Sequence, residues 1–421
     1  MSPRSGPVRV ACAVAAALLP LVCIVPPVAS AQTIAQRGFA EARGALFPVR
    51  ATNDTHRLVG DALVREEIFV KPARWVQFAA GLDARANTHD QVEGGWRLDV
   101  RDRRPLRPAM SLRRVGATLT RGPFTLDVGK QFIRWGKADI VNPTDYFAPR
   151  DFLNVMDQEL LAVSGARAAA QWRSETFDVV WVPWFTPSRT PLLDQRWTAV
   201  APAAAPIAFV DVSGPVPKGS QAGIRWGHTG ARYETSLSYF EGFNHLPNIE
   251  STPVRAPFEV GIAREYPALR SYGLDLAVPT RWFTVKGEGA YSTSSTPGTD
   301  EYVVYVVQLE RQSGEWMLVG GYAGEVVTKR RAALAFAPNR GLAGSLVARA
   351  SYTIDANRSL ALETAVRQTG HGAYVKGELS QARGAHWRAT LAGALIRGRP
   401  DDFLGQYRRN SSVTAALRYS F

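Results

Sequence analysis

Cysteine is nearly absent from this chain, and so are long apolar segments. The two cysteines, Cys12 and Cys23, lie within the first 31 of its 421 residues. If that stretch is removed, neither a disulfide nor a thiolate metal site can form. After Val28 there is no run of about 18 apolar residues, and this excludes helices that span a membrane.

Sequence signatures of catalysis are also lacking. The six histidines lie far apart, and none has an H-x-x-x-H or H-x-x-E spacing that would suggest a metal site. The chain contains neither a G-x-S-x-G nucleophile elbow nor a G-x-x-x-x-G-K-[ST] phosphate loop. We therefore predict that the protein is not an enzyme and needs no metal or cofactor.

The N-terminus does carry a recognisable signal. Arg4 and Arg9 precede an apolar run that ends in an A-x-A cleavage site, Ala29-Ser30-Ala31. This order of charged, apolar and small residues is typical of a secretory signal peptide. We predict a signal peptide at 1–31 and a single mature domain at 32–421.

The charge balance is strongly basic. The whole chain has a formal net charge of +13, and removal of the predicted signal peptide leaves +11. Nucleic-acid binding is one interpretation of such a balance. The basic residues are not clustered, however, but are spread singly through the chain, so we do not expect a nucleic-acid partner.

The last nine residues alternate between two kinds of side chain. One side carries Val413, Ala415, Leu417, Tyr419 and Phe421, whereas smaller or polar residues occupy the other side. This period of two indicates a strand, and a strand of a lipid-facing barrel would account for the terminal aromatic residue. We predict that Tyr419 and Phe421 form the C-terminal signal by which outer-membrane β-barrels are recognised for assembly. The alternative is the buried last strand of a soluble β-sandwich.

Alternation and turn signals divide the rest of the chain into strands. We predict eighteen, at 34–47, 58–71, 74–88, 111–121, 124–134, 161–173, 176–185, 220–228, 231–242, 269–279, 281–293, 301–312, 315–327, 342–355, 358–370, 373–382, 386–397 and 411–421. Short turns and long loops alternate between them, as in bacterial outer-membrane barrels. The predicted fold is all-β, a single transmembrane antiparallel barrel of about 18 strands, with 16 as the alternative.

The alternation also predicts which side chains face the inside of the barrel. A charge that faced lipid near the midplane would cost about 2–4 kcal/mol, and a barrel of this width leaves an aqueous lumen unless something fills it. The basic residues predicted to line the lumen are Arg114, Arg167, Arg225, Arg232, Lys286, Arg349, Arg367, Lys376, Arg388 and Arg418. They outnumber the inward acids, and rings of basic side chains favour anions. The alternative is that these charges pair across strands and line a solvated wall.

One long loop, 135–160, is dense in charged and turn-forming residues. Its Asn142-Pro143-Thr144-Asp145 stretch is a turn in which proline fixes φ. It is the third long loop, and general porins fold their third loop into the barrel to narrow the pore. The residues predicted to constrict the pore are Arg134, Trp135, Lys137, Asp139, Asn142, Asp145, Arg150 and Asp151. The alternative is a surface loop held together by Arg–Asp pairs.

Three stretches resemble a known group of proteins. They are Gly129–Asp151, Trp181–Arg189 and Phe403–Arg408. These stretches are similar to those of porin-like outer-membrane proteins, a largely uncharacterised group near the domain-of-unknown-function and alginate-export-type barrels. The resemblance implies a Gram-negative outer-membrane barrel, but it implies no particular cargo and no individual binding residue.

These patterns predict a function in passive transport. We expect a channel in the Gram-negative outer membrane, exported through the periplasm, that passes small polar solutes and favours anions. The expected partners are outer-membrane lipid, lipopolysaccharide, the β-barrel assembly machinery and the solutes themselves, and the oligomeric state stays open. The alternatives are a structural or assembly barrel without transport, and an outer-membrane hydrolase whose catalytic residues meet across strands.

Overall fold

A closed β-barrel accounts for most of the chain. The computed structural model describes residues 33–198, 208–253, 259–330 and 334–421, so the predicted signal peptide lies outside the described part. Neighbouring strands pair antiparallel around the barrel, and the first strand pairs with the last. Among the described residues, no helix is long and apolar enough to cross a membrane.

The barrel has eighteen strands. They are β1 (Thr33–Leu46), β2 (Leu58–Ala73), β3 (Val76–Asn87), β4 (Met110–Arg121), β5 (Phe124–Gln131), β6 (Val163–Trp172), β7 (Glu175–Val182), β8 (Gln221–Thr229), β9 (Glu234–Phe243), β10 (Ala268–Pro279), β11 (Thr284–Thr293), β12 (Glu301–Ser313), β13 (Trp316–Lys329), β14 (Ser345–Asp355), β15 (Arg358–Arg367), β16 (Ala373–Arg383), β17 (Trp387–Arg397) and β18 (Ser412–Ser420). Every predicted strand is present, with its ends within three residues of the predicted ones. The predicted fold is therefore confirmed, with eighteen strands rather than sixteen.

Short turns join the strands at one rim, and long segments join them at the other. Gly122, Gly314 and Gly384 lie in three of the short turns with φ of 58°, 57° and 62°. Tight hairpin turns need this left-handed conformation, which glycine adopts without steric cost. The start of β1 and the end of β18 lie at the short-turn rim, as an even number of strands requires.

The outer face of the barrel is apolar. Leu362, Leu391 and Leu417 are each about half exposed, at the positions where alternation predicts lipid contact. Five exposed tryptophans gather at the short-turn rim, namely Trp75, Trp172, Trp282, Trp316 and Trp387. An apolar band bordered by aromatic residues is the surface of a membrane-spanning barrel.

The seam that closes the barrel joins Gly38 of β1 to Phe421. The backbone N–H of each residue donates to the carbonyl of the other at 3.0 Å. A Cβ on Gly38 would lie 2.5 Å from the Phe421 ring, so only glycine fits here. Glu66 pairs with Gly38 and lies on this same outer face, which is an exception to the predicted inward placement of charges.

The long-loop side carries additional structure. Segments from three of the long loops form a four-stranded sheet, which consists of Ala208–Asp211, Asn248–Pro253, Glu259–Glu265 and Leu334–Ala335. Its first strand runs parallel to Glu259–Glu265, and Arg264 bonds Asp211 across them. The long loops are therefore tied to one another at this end of the barrel.

Candidate functional site

The segment 132–162, between β5 and β6, lies inside the barrel. Its backbone is held by Glu288 of β11, and farther along Val155 packs against Tyr374 of β16. Asp157 then forms an ion pair with Arg43 of β1. The segment therefore crosses the interior from one part of the wall to another instead of lying on the surface.

Glu288 is the main anchor of this segment. Its carboxylate accepts hydrogen bonds from the backbone N–H groups of Lys137 (2.8 Å), Ala138 (2.9 Å) and Thr144 (2.9 Å), and from the Thr144 hydroxyl (2.9 Å). A buried carboxylate is costly unless donors surround it, and four donors satisfy this one. The segment converges on a single side chain because its turn brings Thr144 back beside Ala138, where Asn142 bonds the Ala138 carbonyl.

Asp145 holds the turn together from within. Its carboxylate accepts from the backbone N–H groups of Trp135 (2.9 Å) and Gly136 (2.7 Å). Arg134 and Arg150 pair with the same carboxylate at 3.2 and 3.6 Å. The predicted Arg–Asp pairs of this segment are therefore present, but they stabilise a fold inside the barrel.

Trp135 anchors the segment by packing. Its ring lies edge-on to Phe147, and both rings pack in a cluster with Phe240 of β9. Gly223 of β8 makes room for it, because a Cβ there would lie 2.7 Å from the indole ring. The indole N–H points to Asp178 of β7 at 3.3 Å. Trp135 is thus buried against the wall and does not face open space.

A cluster of ion pairs holds the end of the segment against the opposite part of the wall. Glu159 pairs with Arg65 (2.6 Å), Arg85 (2.5 Å) and Arg113 (3.0 Å) of β2, β3 and β4. Although burial alone would raise it, Arg85 and Arg65 hold the pKa of the Glu159 carboxyl well below its usual range. Asp151 is likewise paired with two arginines, Arg107 at 2.9 Å and Arg189 at 3.2 Å.

Arg113 is a residue that alternation missed. A register shift between Gly81 and Leu82 of β3 brings both Arg113 and Arg114 to the inner face of β4. Arg114 pairs with Glu67 at 3.0 Å, which is consistent with its predicted position on the inner face. Such a bulge places an extra residue in one strand, so strict period two fails locally. Two adjacent arginines in an otherwise alternating strand are the signal that could have revealed it.

The space that the segment leaves open is a series of three cavities along the inner wall. They are open to solvent and contain about 1020, 810 and 1260 Å³ of space between the protein atoms, part of which is open solvent. The first and second share Ile140 and Gln158, and the second and third share Met156 and Tyr374. The series begins among the long loops and reaches Arg418 near the end of β18.

The predicted constriction residues divide between this open space and the wall contacts. Asp139 lines the second cavity, and Asn142, Asp145 and Arg150 line the first. Four others serve as wall or segment contacts and line none of the three cavities, namely Arg134, Trp135, Lys137 and Asp151. The Lys137 ammonium, for example, pairs with Glu234 and Asp275 at 3.2 Å each. Met156 and Gln158 line the open space, and no feature of the sequence marked them.

The predicted lumen-lining bases mostly have acidic partners. The pairs are Arg114–Glu67, Arg167–Asp178, Arg225–Asp275, Lys286–Asp139, Arg349–Glu363, Arg367–Asp402, Lys376–Glu378 and Arg418–Glu41. Arg388 instead donates to the Ser380 hydroxyl at 3.1 Å. Five of these pairs join two strands of the wall, whereas Lys286 pairs with the segment, Arg367 with a loop and Lys376 with its own strand. Pairing across strands, which was the alternative to a ring of uncompensated charge, therefore describes half of the ten residues.

Arg232 is a correction to the predicted list. It lies exposed in the short turn between β8 and β9, not on the inner wall. The Gly230 N–H donates to the Tyr233 carbonyl at 2.9 Å, and this turn delays the start of β9 to Glu234. The sequence placed the strand three residues too early because residues 231–233 continue the alternating pattern.

Two histidine sites lie on the long-loop side. His245 is buried, stacks on Phe185, and has its Nδ1 2.6 Å from the Thr186 carbonyl. Burial lowers its pKa to about 4.

At the other site, His89 Nε2 lies 2.7 Å and His56 Nδ1 3.0 Å from the Asp54 carboxylate. This group has the donor set of a metal site.

A buried arginine changes how this second site is best understood. The Arg196 guanidinium is fully buried, and its Nε lies 3.3 Å from the same Asp54 carboxylate. The positive charge that a metal ion would bring to the Asp54 carboxylate is therefore already supplied by Arg196. We interpret the group as a contact that ties the long loops together.

Comparison with known proteins identifies the fold. No family model and no curated protein matches the chain. Its structure is similar to a BenF-like porin from Pseudomonas fluorescens Pf-5, with TM-score 0.57 and 9% identity over 93% of this chain and 98% of that one. It is also similar to Pseudomonas aeruginosa OpdQ, with TM-score 0.55 and 10% identity over 93% and 99% of the two chains.

A third similar structure is the outer membrane protein opdK from Pseudomonas aeruginosa, with TM-score 0.54 and 9% identity over 92% of this chain and 98% of that one. At such identities these likenesses establish the barrel fold alone. The resemblance to alginate-export-type barrels is not confirmed by them and stays a prediction.

Proposed function

We propose that this chain is an outer-membrane channel through which small polar solutes pass, narrowed by the segment 132–162. The observation that carries the proposal is the series of three cavities between that segment and the inner wall. Because each cavity shares lining residues with the next, the series runs from the long loops to Arg418, near the short-turn rim. An apolar outer face around a wet interior orients this route across a membrane.

We also propose that the channel prefers anions. Arg349, Lys376 and Arg418 line the second and third cavities, and their side chains are 52%, 31% and 40% exposed. Basic side chains in a narrow pore with low-dielectric walls favour anions. Each of the three has an acidic partner, so we expect the preference to be modest.

The remaining parts of the proposal concern how the protein reaches the membrane. The side chains of Tyr419 and Phe421 are exposed on the outer face, where assembly machinery could contact them. This supports a role for both residues as an assembly signal, after cleavage at Ala31 and export through the periplasm. The exposed outer belt would then contact lipid, and the long loops would lie next to lipopolysaccharide.

The proposal can be tested with the purified protein in liposomes and planar bilayers. We expect liposome swelling with small polar solutes, and a reversal potential in a KCl gradient of the sign given by chloride preference. A purely structural barrel would give neither swelling nor conductance. A hydrolase would instead show turnover of lipid or ester substrates that a single Ser or His substitution abolishes. A reversal potential of cation sign would contradict the selectivity alone.

A further inference from the structure

A groove lies on the outer face of the barrel, where β12 to β15 approach the short-turn rim. Its lining includes Phe283, Leu309, Leu318, Gly320 and Leu362, and it contains about 790 Å³ of space between the protein atoms, part of which is open solvent. The side chains of Leu309, Leu318 and Leu362 are 47%, 41% and 48% exposed, at positions that face lipid. The groove therefore opens toward the membrane and not toward the lumen.

Small residues form the floor of this groove. Across the strands, Leu309 pairs with Gly320, Gly320 with Ala348, and Ala348 with Thr364. A Cβ on Gly320 would meet no atom within 4 Å, so the space above it is open. Association within lipid depends on close packing, which small residues permit. The floor can therefore accommodate an apolar chain that lies against the barrel.

Two charged residues border the groove without directing their charges toward it. Glu310 and Arg349 occupy inward positions of β12 and β14, where their side chains pair with Lys286 and Glu363. The side chains that form the groove itself are accordingly almost all apolar. A ligand held there by charge must therefore contact residues at the rim.

Two arginines lie at the rim end of the groove. The Arg281 and Arg311 guanidiniums are 5.1 and 5.8 Å from the centre of the Trp282 ring, which is 59% exposed on the outer face. Arg311 lines the groove and faces outward, since it pairs with Leu318 across the strands. A long cationic side chain near a strand end extends to the membrane surface, where its charge costs little.

These two arginines are poorly compensated by acids. The short turns beside them, 280–283 and 314–315, contain a single acid, Glu315. Among the described residues, no ion pair joins Glu315 to either arginine, whereas Arg358 of the next short turn pairs with Asp355 at 2.7 Å. Two cations and one acid thus leave a positive surplus at the depth of the lipid headgroups, and such a surplus attracts anionic lipid.

We propose that this groove binds an anionic phospholipid of the periplasmic leaflet, of the phosphatidylglycerol class. Its phosphate would accept hydrogen bonds from Arg281 and Arg311, and one acyl chain would lie over Gly320 and Ala348. Short turns of outer-membrane barrels face the periplasm, so the leaflet at this rim consists of phospholipid. Phosphatidylethanolamine carries the same phosphate but is neutral overall, so it would leave the positive surplus uncompensated.

The test measures lipid binding to the purified protein in detergent. Native mass spectrometry, with phosphatidylglycerol or phosphatidylethanolamine of identical acyl chains, gives the dissociation constant of the first bound lipid. We expect phosphatidylglycerol to bind about tenfold more tightly. Combining Arg281→Gln with Arg311→Gln should remove this preference. Arg232→Gln should keep it, because Arg232 is an exposed arginine of another short turn, away from the groove.

A second pair of variants tests the groove itself. Gly320→Leu fills the floor while both arginines remain, so the dissociation constant for phosphatidylglycerol should rise about fivefold or more. Gly393→Leu is the matched control. Gly393 pairs with the exposed Val413 on the outer face, does not line the groove, and also has no atom within 4 Å of an added Cβ. We expect this variant to bind like the wild type.

Three results would overturn the site. The first is an equal affinity of the wild type for the two lipids. The second is a preference that survives the loss of Arg281 and Arg311, since the lipid would then bind elsewhere. The third is an equal effect of Gly320→Leu and Gly393→Leu. The comparison of the two lipids on the wild type needs no variant, so it decides the question even if a variant fails to fold. None of these results depends on whether the barrel conducts solutes.

Discussion

Two parts of the barrel interior use charged side chains in opposite ways. The clamped wall, which we define as β2–β4 and β9–β11, holds the segment 132–162 through two buried carboxylates, each about 4% exposed. Glu288 accepts from the backbone of the segment, and Asp83 holds the arginines that pair with Glu159. The open wall, β14–β18, faces the cavities, and there Arg349 and Arg418 are 52% and 40% exposed. Buried charges with several partners fix a position, whereas half-exposed charges remain available to passing ions.

The sharpest way to break this comparison is to remove one carboxylate from each wall. Glu288→Ala leaves three buried backbone donors of the segment without an acceptor, so we expect a loss of about 3 kcal/mol or more in unfolding free energy. The matched change on the open wall is Glu363→Ala, which removes a half-exposed partner of Arg349 and should cost less than about 1 kcal/mol. Unfolding of both variants in the same detergent measures the difference. Equal losses would contradict the distinction between the walls.

A buried neutral group next to the clamped wall should make stability depend on pH. Since the pKa of His245 falls to about 4 in the folded protein, the unfolded chain binds a proton first as pH decreases. Stability is therefore complete above about pH 6.5 and is lost between about 6.5 and 4, by up to about 3 kcal/mol. His245→Gln should flatten this dependence, and His386→Gln, at the exposed rim, should not. An unchanged pH profile in His245→Gln would mean that the histidine is not buried as described.

The smallest expected effect is on selectivity at the open wall. Replacing Arg349, Lys376 and Arg418 together by Gln removes three half-exposed cations but leaves their acidic partners, so the preference for chloride should weaken or reverse. Each change should alter stability by less than about 1 kcal/mol. Reversal potentials in a KCl gradient measure the effect, with Arg270→Gln on the outer face as the control. A triple variant with the selectivity of the wild type would show that the open wall does not govern permeation.

The features that could be predicted from the sequence are those that depend on neighbouring residues, and the features that could not are those that depend on residues far apart in the chain. The strands could be predicted because alternation is a local property: Leu362 faces out and Glu363 faces in by their order alone. Local turn chemistry also marked the segment 132–162. The role of Glu288 as the anchor could not be predicted this way, because it is about 150 residues from the N–H groups that it binds. In the sequence, Glu288 looks like any other inward-facing Glu of a strand.

Departures from regular geometry explain the other errors. A bulge turns Arg113 inward beside Arg114, where strict alternation would place only one of the two inside. A turn keeps Arg232 out of the strand, although residues 231–233 continue the alternating pattern. Trp135 was taken for a pore residue because it lies among charges in the sequence. It packs on Phe147 and Phe240 because the wall provides space at Gly223, and that space is a property of the tertiary structure.

The central claim is that an inward-folded segment narrows a conducting barrel, and single-channel conductance in a planar bilayer tests it most directly. The wild type should give small, uniform steps. Replacement of residues 137–149 by a Gly–Ser linker of the same length removes the Asn142-to-Asp145 turn, the Thr144 hydroxyl and the Phe147 ring that hold the backbone against Glu288. It should give steps several times larger. Equal steps from the two proteins, or a wild type that inserts and does not conduct, would contradict the account.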